Sequence, residues 1–421
     1  MNTRPVIEPS TANISLSAVF NDNATCFAVG LETGFCVFTT EPCELRASRD
    51  FNAGIGLASM LGQTNYLALV GGGRKPKFPS NKMIIWDDSK QRVVITLEFK
   101  SAVLRTLLSK SLIVIALRNS IEIYQFSTTP RKIHEFETGD NSENGLVCLG
   151  PDIVAFPGRT AGQVQLVDLK TGNVSIIPAH EARLRTLALS RDGLLLATAG
   201  EKGTLIRLYA TSNCAKIAEF RRGIDPAEIY SIAFNPSNSL LAVTSDKSTL
   251  HIFDLPTPQN IIRWQTRTTH HYSNHNQHPT YPSNSSDRTS LSSGMSNAVS
   301  SAATTTSIDR SKNKWGFLQN VPLLPRLFSD TYSFANAPFE LGDEPLRTRA
   351  SAQGQQNGGK GEGNWTPWGK PTRGLIGWVS DDELVVVSAG KIGRWEKFAV
   401  VEDDDGKRYC IKRGWKKFLK G

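Results

Sequence analysis

Leu196-Ala197 followed by Lys202-Gly203-Thr204-Leu205-Ile206-Arg207 recurs downstream as Leu241-Ala242 followed by Ser245-Asp246-Lys247-Ser248-Thr249-Leu250-His251. Each copy is a short apolar, β-branched run that breaks at Gly, Ser or Asp and resumes, the pattern of two buried strands joined by a tight turn. Around the first copy the runs form a quartet at 184–189, 195–199, 205–209 and 216–220. Around the second they form a trio at 229–234, 240–244 and 250–254, whose fourth member is interrupted.

Working outward, the same quartet is found at 14–20, 26–31, 34–39 and 44–49, and again at 56–61, 66–70, 83–86 and 92–99. A third lies at 103–108, 112–117, 121–126 and 132–137, and a fourth at 146–149, 153–156, 164–168 and 174–178. The C-terminus supplies a last one at 375–379, 384–388, 395–401 and 407–412. Quartets recurring every ~40–45 residues are the mark of propeller blades, and helical periodicity is nearly absent. The expected fold is all-β: a WD40-like seven-bladed β-propeller, one domain over residues 10–421. Both terminal blades are complete in sequence, so no closing strand is exchanged between them. Trp86-Asp87 and Val167-Asp168 are the surviving WD-like traces at the ends of third strands. Val70-Gly71-Gly72-Gly73 lacks the GK[ST] of a phosphate loop and is followed by Pro76 and Pro79, so it reads as a bend within the second blade.

The sixth blade carries a long insertion, residues 256–372. Its first part, 266–309, is Ser, Thr, Asn and His with almost no large aliphatic side chains, and is expected to be disordered. His270, His271, His275 and His278 fall there without a cysteine or carboxylate to complete a metal set. The composition then reverses. Trp315, Phe317, Leu318, Leu323, Leu324, Leu327 and Phe328 crowd an apolar segment, 312–334, beside Lys312, Lys314 and Arg326. Pro322 and Pro325 argue against a strand, so this segment is expected to contact a membrane. Residues 332–341 read as the returning fourth strand of the blade.

The chain has 421 residues, a formal net charge of +9 and 39% hydrophobic residues. That charge favours anionic partners without choosing among lipid headgroups, nucleic acid and acidic proteins. Six scattered cysteines with no CxxC pair read as reduced thiols, no cofactor is called for, and no apolar run is long enough to span a bilayer. No G-x-S-x-G, H-E-x-x-H or supported Cys–His pairing is present, and the acidic run 402–405 reads as a solvated hairpin turn.

Between the two near-copies stands Phe220-Arg221-Arg222-Gly223. Adjacent residues of a strand point to opposite sides, so one arginine serves each copy. A guanidinium with a lysine and hydroxyl donors around it suits a phosphate monoester. This arginine pair, with Asp225, Ile229-Tyr230 and Ser245-Asp246-Lys247, closely resembles the PROPPIN family, β-propellers that bind polyphosphoinositides; the second-blade glycines and prolines resemble it too. The resemblance implies a first lipid pocket of His180, Lys202, Thr204, Arg207 and Arg221. A second would use Arg222, Ser245, Lys247, Thr249 and His251. One departure is Gly200, where many relatives carry Ser.

The resemblance further implies phosphatidylinositol 3-phosphate and phosphatidylinositol 3,5-bisphosphate as ligands. It implies a non-enzymatic scaffold, peripheral on vacuolar, endosomal and preautophagosomal membranes and otherwise in the cytoplasm. Lipid-transfer or conjugation proteins of autophagy would be its partners. A monomer is expected, and nucleic acid is not, because aromatics are not interleaved with the basic residues. The alternative from another class is a propeller that joins proteins only, its basic patches meeting acidic partners.

Overall fold

The computed structural model describes residues 14–256, 331–341, 371–390 and 392–419. The expected disordered tract and the apolar segment through Phe328 lie outside them. Seven sheets form in chain order. The first holds β1 (Ser15–Phe20), β2 (Cys26–Leu31), β3 (Gly34–Thr39) and β4 (Glu44–Asp50). The second holds β5 (Ile55–Met60), β6 (Tyr66–Gly71), β7 (Lys82–Asp87) and β8 (Arg92–Glu98). The third holds β9 (Arg105–Leu108), β10 (Leu112–Ala116), β11 (Ser120–Gln125) and β12 (Arg131–Glu137), and the fourth β13 (Cys148–Leu149), β14 (Ile153–Pro157), β15 (Gln163–Asp168) and β16 (Val174–Pro178). The fifth holds β17 (Leu184–Leu189), β18 (Leu195–Gly200), β19 (Leu205–Ala210) and β20 (Lys216–Arg221). The sixth begins with β21 (Ile229–Phe234), β22 (Leu240–Ser245) and β23 (Thr249–Asp254). Within the expected insertion's bounds come β24 (Thr331–Tyr332) and β25 (Ala335–Pro338), and the seventh sheet is β26 (Leu375–Trp378), β27 (Glu383–Ser388), β28 (Arg394–Glu402) and β29 (Arg408–Lys417).

The burial of each strand follows from its place in a blade. Second strands such as β2 and β18 are buried along their whole length, because a neighbouring blade covers each face. Outer strands such as β4 and β12 alternate polar and half-exposed. Apolar clusters fill each seam: Phe220, Ile232 and Phe253 lie between the fifth and sixth blades, and Leu250, Phe339, Trp378 and Phe398 between the sixth and seventh. The ring closes without an exchanged strand, as the sequence implied. Ser15 N–H donates to Gly390 O at 3.0 Å, and Trp395 Nε1 donates to Thr40 O at 3.0 Å.

Three readings need correction in detail. The fourth blade's inner strand is only Cys148–Leu149, not 146–149. Asn141 claims Leu146 instead, its Oδ1 accepting Leu146 N–H at 2.8 Å and its Nδ2 donating to Leu146 O at 3.1 Å. The last strand runs on to Lys417, and a bulge between Lys397 and Phe398 keeps it in register. The return from the insertion does not all belong to the sixth blade. Ala335–Pro338 pairs antiparallel with β23, but Thr331–Tyr332 pairs parallel with Phe220–Arg221 of the fifth blade. The chain therefore re-enters across the seam between these two blades.

Candidate functional site

The two near-copies become the hairpins β18–β19 and β22–β23, and their turns share one geometry. Gly203 N–H donates to Gly200 O and Ser248 N–H to Ser245 O, both at 3.0 Å. Gly203 has φ +60° and Ser248 φ +55°. At Gly203 the glycine is obligatory, since a Cβ would lie 1.8 Å from the Ala227 carbonyl oxygen. The copies are not equivalent residue by residue, however. The fifth-blade turn is one residue longer, so Thr204 stands in the turn while Thr249 opens β23. The ladder aligns Arg207, opposite Thr198, with His251, opposite Val243.

In the first pocket, His180 lies over this hairpin, its Nε2 3.0 Å from Thr198 Oγ1. Burial, with the nearby Arg207 charge, lowers its pKa to about 4, so the ring is neutral at physiological pH. Arg207 donates Nε to Glu219 at 2.7 Å and Nη1 to Ala179 O at 2.6 Å. Glu219 was not foreseen. Burial raises its pKa, but the Arg207 hydrogen bond and charge, with Lys216, hold it below the ordinary carboxylate value. A ligand phosphate at Arg207 must therefore compete with a resident carboxylate. Lys202 is exposed on the turn, and Arg221 is half-buried where β20 pairs with β24.

Gly200 explains itself here. A Cβ at this position would sit 3.1 Å from both Cγ and Nδ1 of the His180 ring. The imidazole occupies the room that a serine side chain would need.

In the second pocket, Arg222 follows the end of β20 and is only 8% exposed. Its N–H continues the ladder to Thr204 O at 2.9 Å, its Nε donates to Gly203 O at 2.9 Å, and its Nη2 donates to Asp225 O. Three guanidinium N–H groups remain to meet a ligand. Burial lowers the Arg222 pKa, opposed by the Asp246 and Asp225 charges. His251 stands nearby with Nε2 3.1 Å from Thr249 Oγ1 and Nδ1 3.0 Å from Ser333 Oγ. Burial and the Arg222 charge lower its pKa to about 4. Ser245 is fully buried, and its hydroxyl, like those of Ser17 and Thr40, has no hydrogen-bond partner among the described residues. Lys247 is exposed on its turn.

The structure thus groups His180 with Arg207, and Arg222 with Thr249 and His251. It adds Thr198, Glu219 and Ser333, which sequence reasoning missed. Glu201 and Asp246, the residues just before the two lysines, line a separate polar cleft of about 570 Å³ with Arg183, Arg185 and Glu228. Among the described residues no His, Cys, Asp and Glu cluster could hold a metal ion.

The PROPPIN family model matches residues 15–328. The chain belongs to the PROPPIN family. It is 54% identical over 361 residues to the SVP1-like protein 2 of Emericella nidulans, across 86% of this chain and 99% of that one. With the SVP1-like protein 2 of Neurospora crassa it shares 43% identity over 430 residues, across 99% of both chains. Among solved structures, Kluyveromyces lactis Hsv2 superposes with a TM-score of 0.66 at 22% identity, covering 97% of this chain and 100% of that one. KlAtg21, solved in complex with the coiled coil of AgAtg16, superposes with a TM-score of 0.61 at 17% identity, covering 96% and 99%. These two likenesses speak to the fold, and they agree with the seven blades found here. PROPPINs are phosphoinositide-binding propeller scaffolds, not an enzyme family.

Proposed function

We propose that this PROPPIN reads 3-phosphorylated inositol headgroups, those of phosphatidylinositol 3-phosphate and phosphatidylinositol 3,5-bisphosphate, through its two hairpin pockets. The observation that carries the reading is the pair of like turns around Arg221-Arg222, each with a half-buried imidazole within hydrogen-bond distance of a threonine hydroxyl. Neutral histidine, hydroxyl and guanidinium donors beside an exposed lysine form a phosphate-selective donor set. Two pockets on the rim of one disc reach a bilayer together when the propeller stands edge-on. The apolar side chains between Trp315 and Phe328 would then add acyl contact, whereas 331–334 pack on the propeller.

The remaining blades are free to recruit protein. The Atg21 complex supports a coiled-coil partner from the autophagy machinery, and vacuolar, endosomal and preautophagosomal membranes are the expected sites of action. Flotation of the intact chain with vesicles containing either lipid, against vesicles with the 4-phosphate or none, tests the reading. Arg221→Thr/Arg222→Thr should abolish flotation. Equal flotation of wild type and this variant would leave the protein-only propeller.

A further inference from the structure

Ile224 is 80% exposed, and among the described residues the next large apolar side chain, Leu45, reaches only 58%. A lone exposed isoleucine is ordinary on a protein surface, so exposure carries nothing by itself. Its position does. Ile224 lies two residues beyond Arg222, in the connection from β20 to β21 that separates the two pockets. Nothing comes within 4 Å of where a Cβ on Gly223 would stand, and Asp225 and Pro226 are exposed. The connection therefore projects from the rim.

Its base, by contrast, is fixed. Arg222 holds Gly203 O through Nε at 2.9 Å and reaches Asp225 O through Nη2, while Ala227 N–H donates to Lys202 O at 3.0 Å. The lysines of both turns, Lys202 and Lys247, are exposed on either side. The acidic neighbours Asp246 and Asp225 both lend their charge to Arg222, and Asp246 is also tied to Glu228 N–H at 3.1 Å. A rigid apolar tip set between two phosphate pockets and two lysines has one occupant whose chemistry fits all of them, the lipid surface that carries the headgroups.

We infer that Ile224 is a membrane-inserting tip that enters the acyl boundary when the pockets engage headgroups. It is separate from the 312–334 segment. The inference rests on the phosphoinositide reading above and adds to it a hydrophobic anchor between the two pockets.

The test is a substitution series in the full chain, Ile224→Trp, Ile224→Ser and Ile224→Glu. Two readouts are compared: affinity for phosphatidylcholine vesicles containing phosphatidylinositol 3-phosphate, and affinity for soluble inositol 1,3-bisphosphate. Half-burial of an isoleucine corresponds to roughly five- to tenfold in affinity. Vesicle affinity should fall by about that factor for Ser, further for Glu, and hold or rise for Trp. Soluble headgroup affinity should stay level throughout. Wild-type vesicle binding by the Ser and Glu variants would overturn the inference while leaving the pockets intact. Parallel loss of both affinities would also overturn it, by making Ile224 a support of the pockets. Failure of the wild type itself to bind either ligand would sink the phosphoinositide reading.

Discussion

Arg222 is both a ligand candidate and a staple, and the two roles separate experimentally. In Arg222→Met the aliphatic stem remains, but the Nε–Gly203 O and Nη2–Asp225 O bonds are lost. Asp225 is exposed, so water replaces its partner; Gly203 is buried, so its carbonyl loses one outright. A hydrogen bond from a charged donor contributes about 1.5–3 kcal/mol, so the loss at Gly203 should cost roughly 2–3 kcal/mol. Unfolding entropy near 2.1 cal/mol/K per residue, over the roughly 300 described residues, converts this to a Tm lower by about 3–5 °C. Arg222→Lys keeps the charge but only one directed donor, and should fall between. Differential scanning fluorimetry reads the stability, and calorimetric titration with soluble inositol 1,3-bisphosphate reads the pocket. A methionine variant that melts within about 1 °C of wild type would refute the staple, whatever happens to the ligand.

Arg408→Met should destabilise by about 3 kcal/mol, because Asp254 is 2% exposed and its carboxylate meets Arg408 Nη2 at 2.6 and 2.5 Å. Adding Asp254→Asn should recover part of that loss in urea melts, and strict additivity would contradict the pairing. His180 and His251 have folded pKa values near 4 against about 6.5 unfolded, so the fold favours the neutral rings. Stability is then full above pH 6.5 and declines as pH falls from there towards 4, by at most about 3 kcal/mol per ring. The urea midpoint of His180→Gln/His251→Gln should drop less between pH 7.5 and 5 than that of wild type, and an unchanged slope would disprove the shift. Gly200→Ser should weaken headgroup binding, despite supplying a hydroxyl, because its Cβ would press on the His180 ring. Tighter binding by calorimetry would show that the ring yields freely. A Gly-Ser linker in place of residues 257–330 should preserve soluble headgroup binding, whereas extending it through 334 should weaken the second pocket by removing Ser333.

The propeller was legible because every blade repeats one pattern of buried second and third strands between polar outer ones. The pocket residues were legible where a repeat or the family motif marked them, as at Lys202, Arg222 and His251. Their partners were not, for reasons that differ. Thr198 is one β-branched residue in a buried strand and looks like core. Glu219 stands directly opposite Arg207 across the β19–β20 hairpin, but only because of the bulge between Leu208 and Tyr209; regular pairing from Tyr209 and Lys216 would have put Ala218 there. Ser333 lies 82 residues further along the chain, where no spacing rule connects it to His251. Ile224 carried no signal at all, since only the fold shows that it stands clear of the rim.

The repeat is broken where the sixth blade opens into the insertion, and the substitutions made there tie the site to the fold. In the second and fourth blades the last residue of the third strand, Asp87 or Asp168, caps the turn into the fourth. Asp87 accepts from Ser89 and Lys90 N–H at 3.1 and 3.2 Å, and Asp168 from Lys170 and Thr171 N–H at 2.8 and 2.9 Å. Asp254 holds the same place but leads into the insertion, and Arg408 of the seventh blade takes its carboxylate instead. The same guanidinium stacks 3.9 Å from the ring centre of Phe334, just before β25. One arginine thus grips both feet of the insertion. Just before Phe334 lie Ser333, hydrogen-bonded to His251, and Tyr332, paired with Arg221. A buried ion pair of this kind adds little net stability over an apolar contact, but leaving either partner alone is costly, so it specifies geometry. The geometry it specifies is the approach of the returning chain to both arginines of the candidate site.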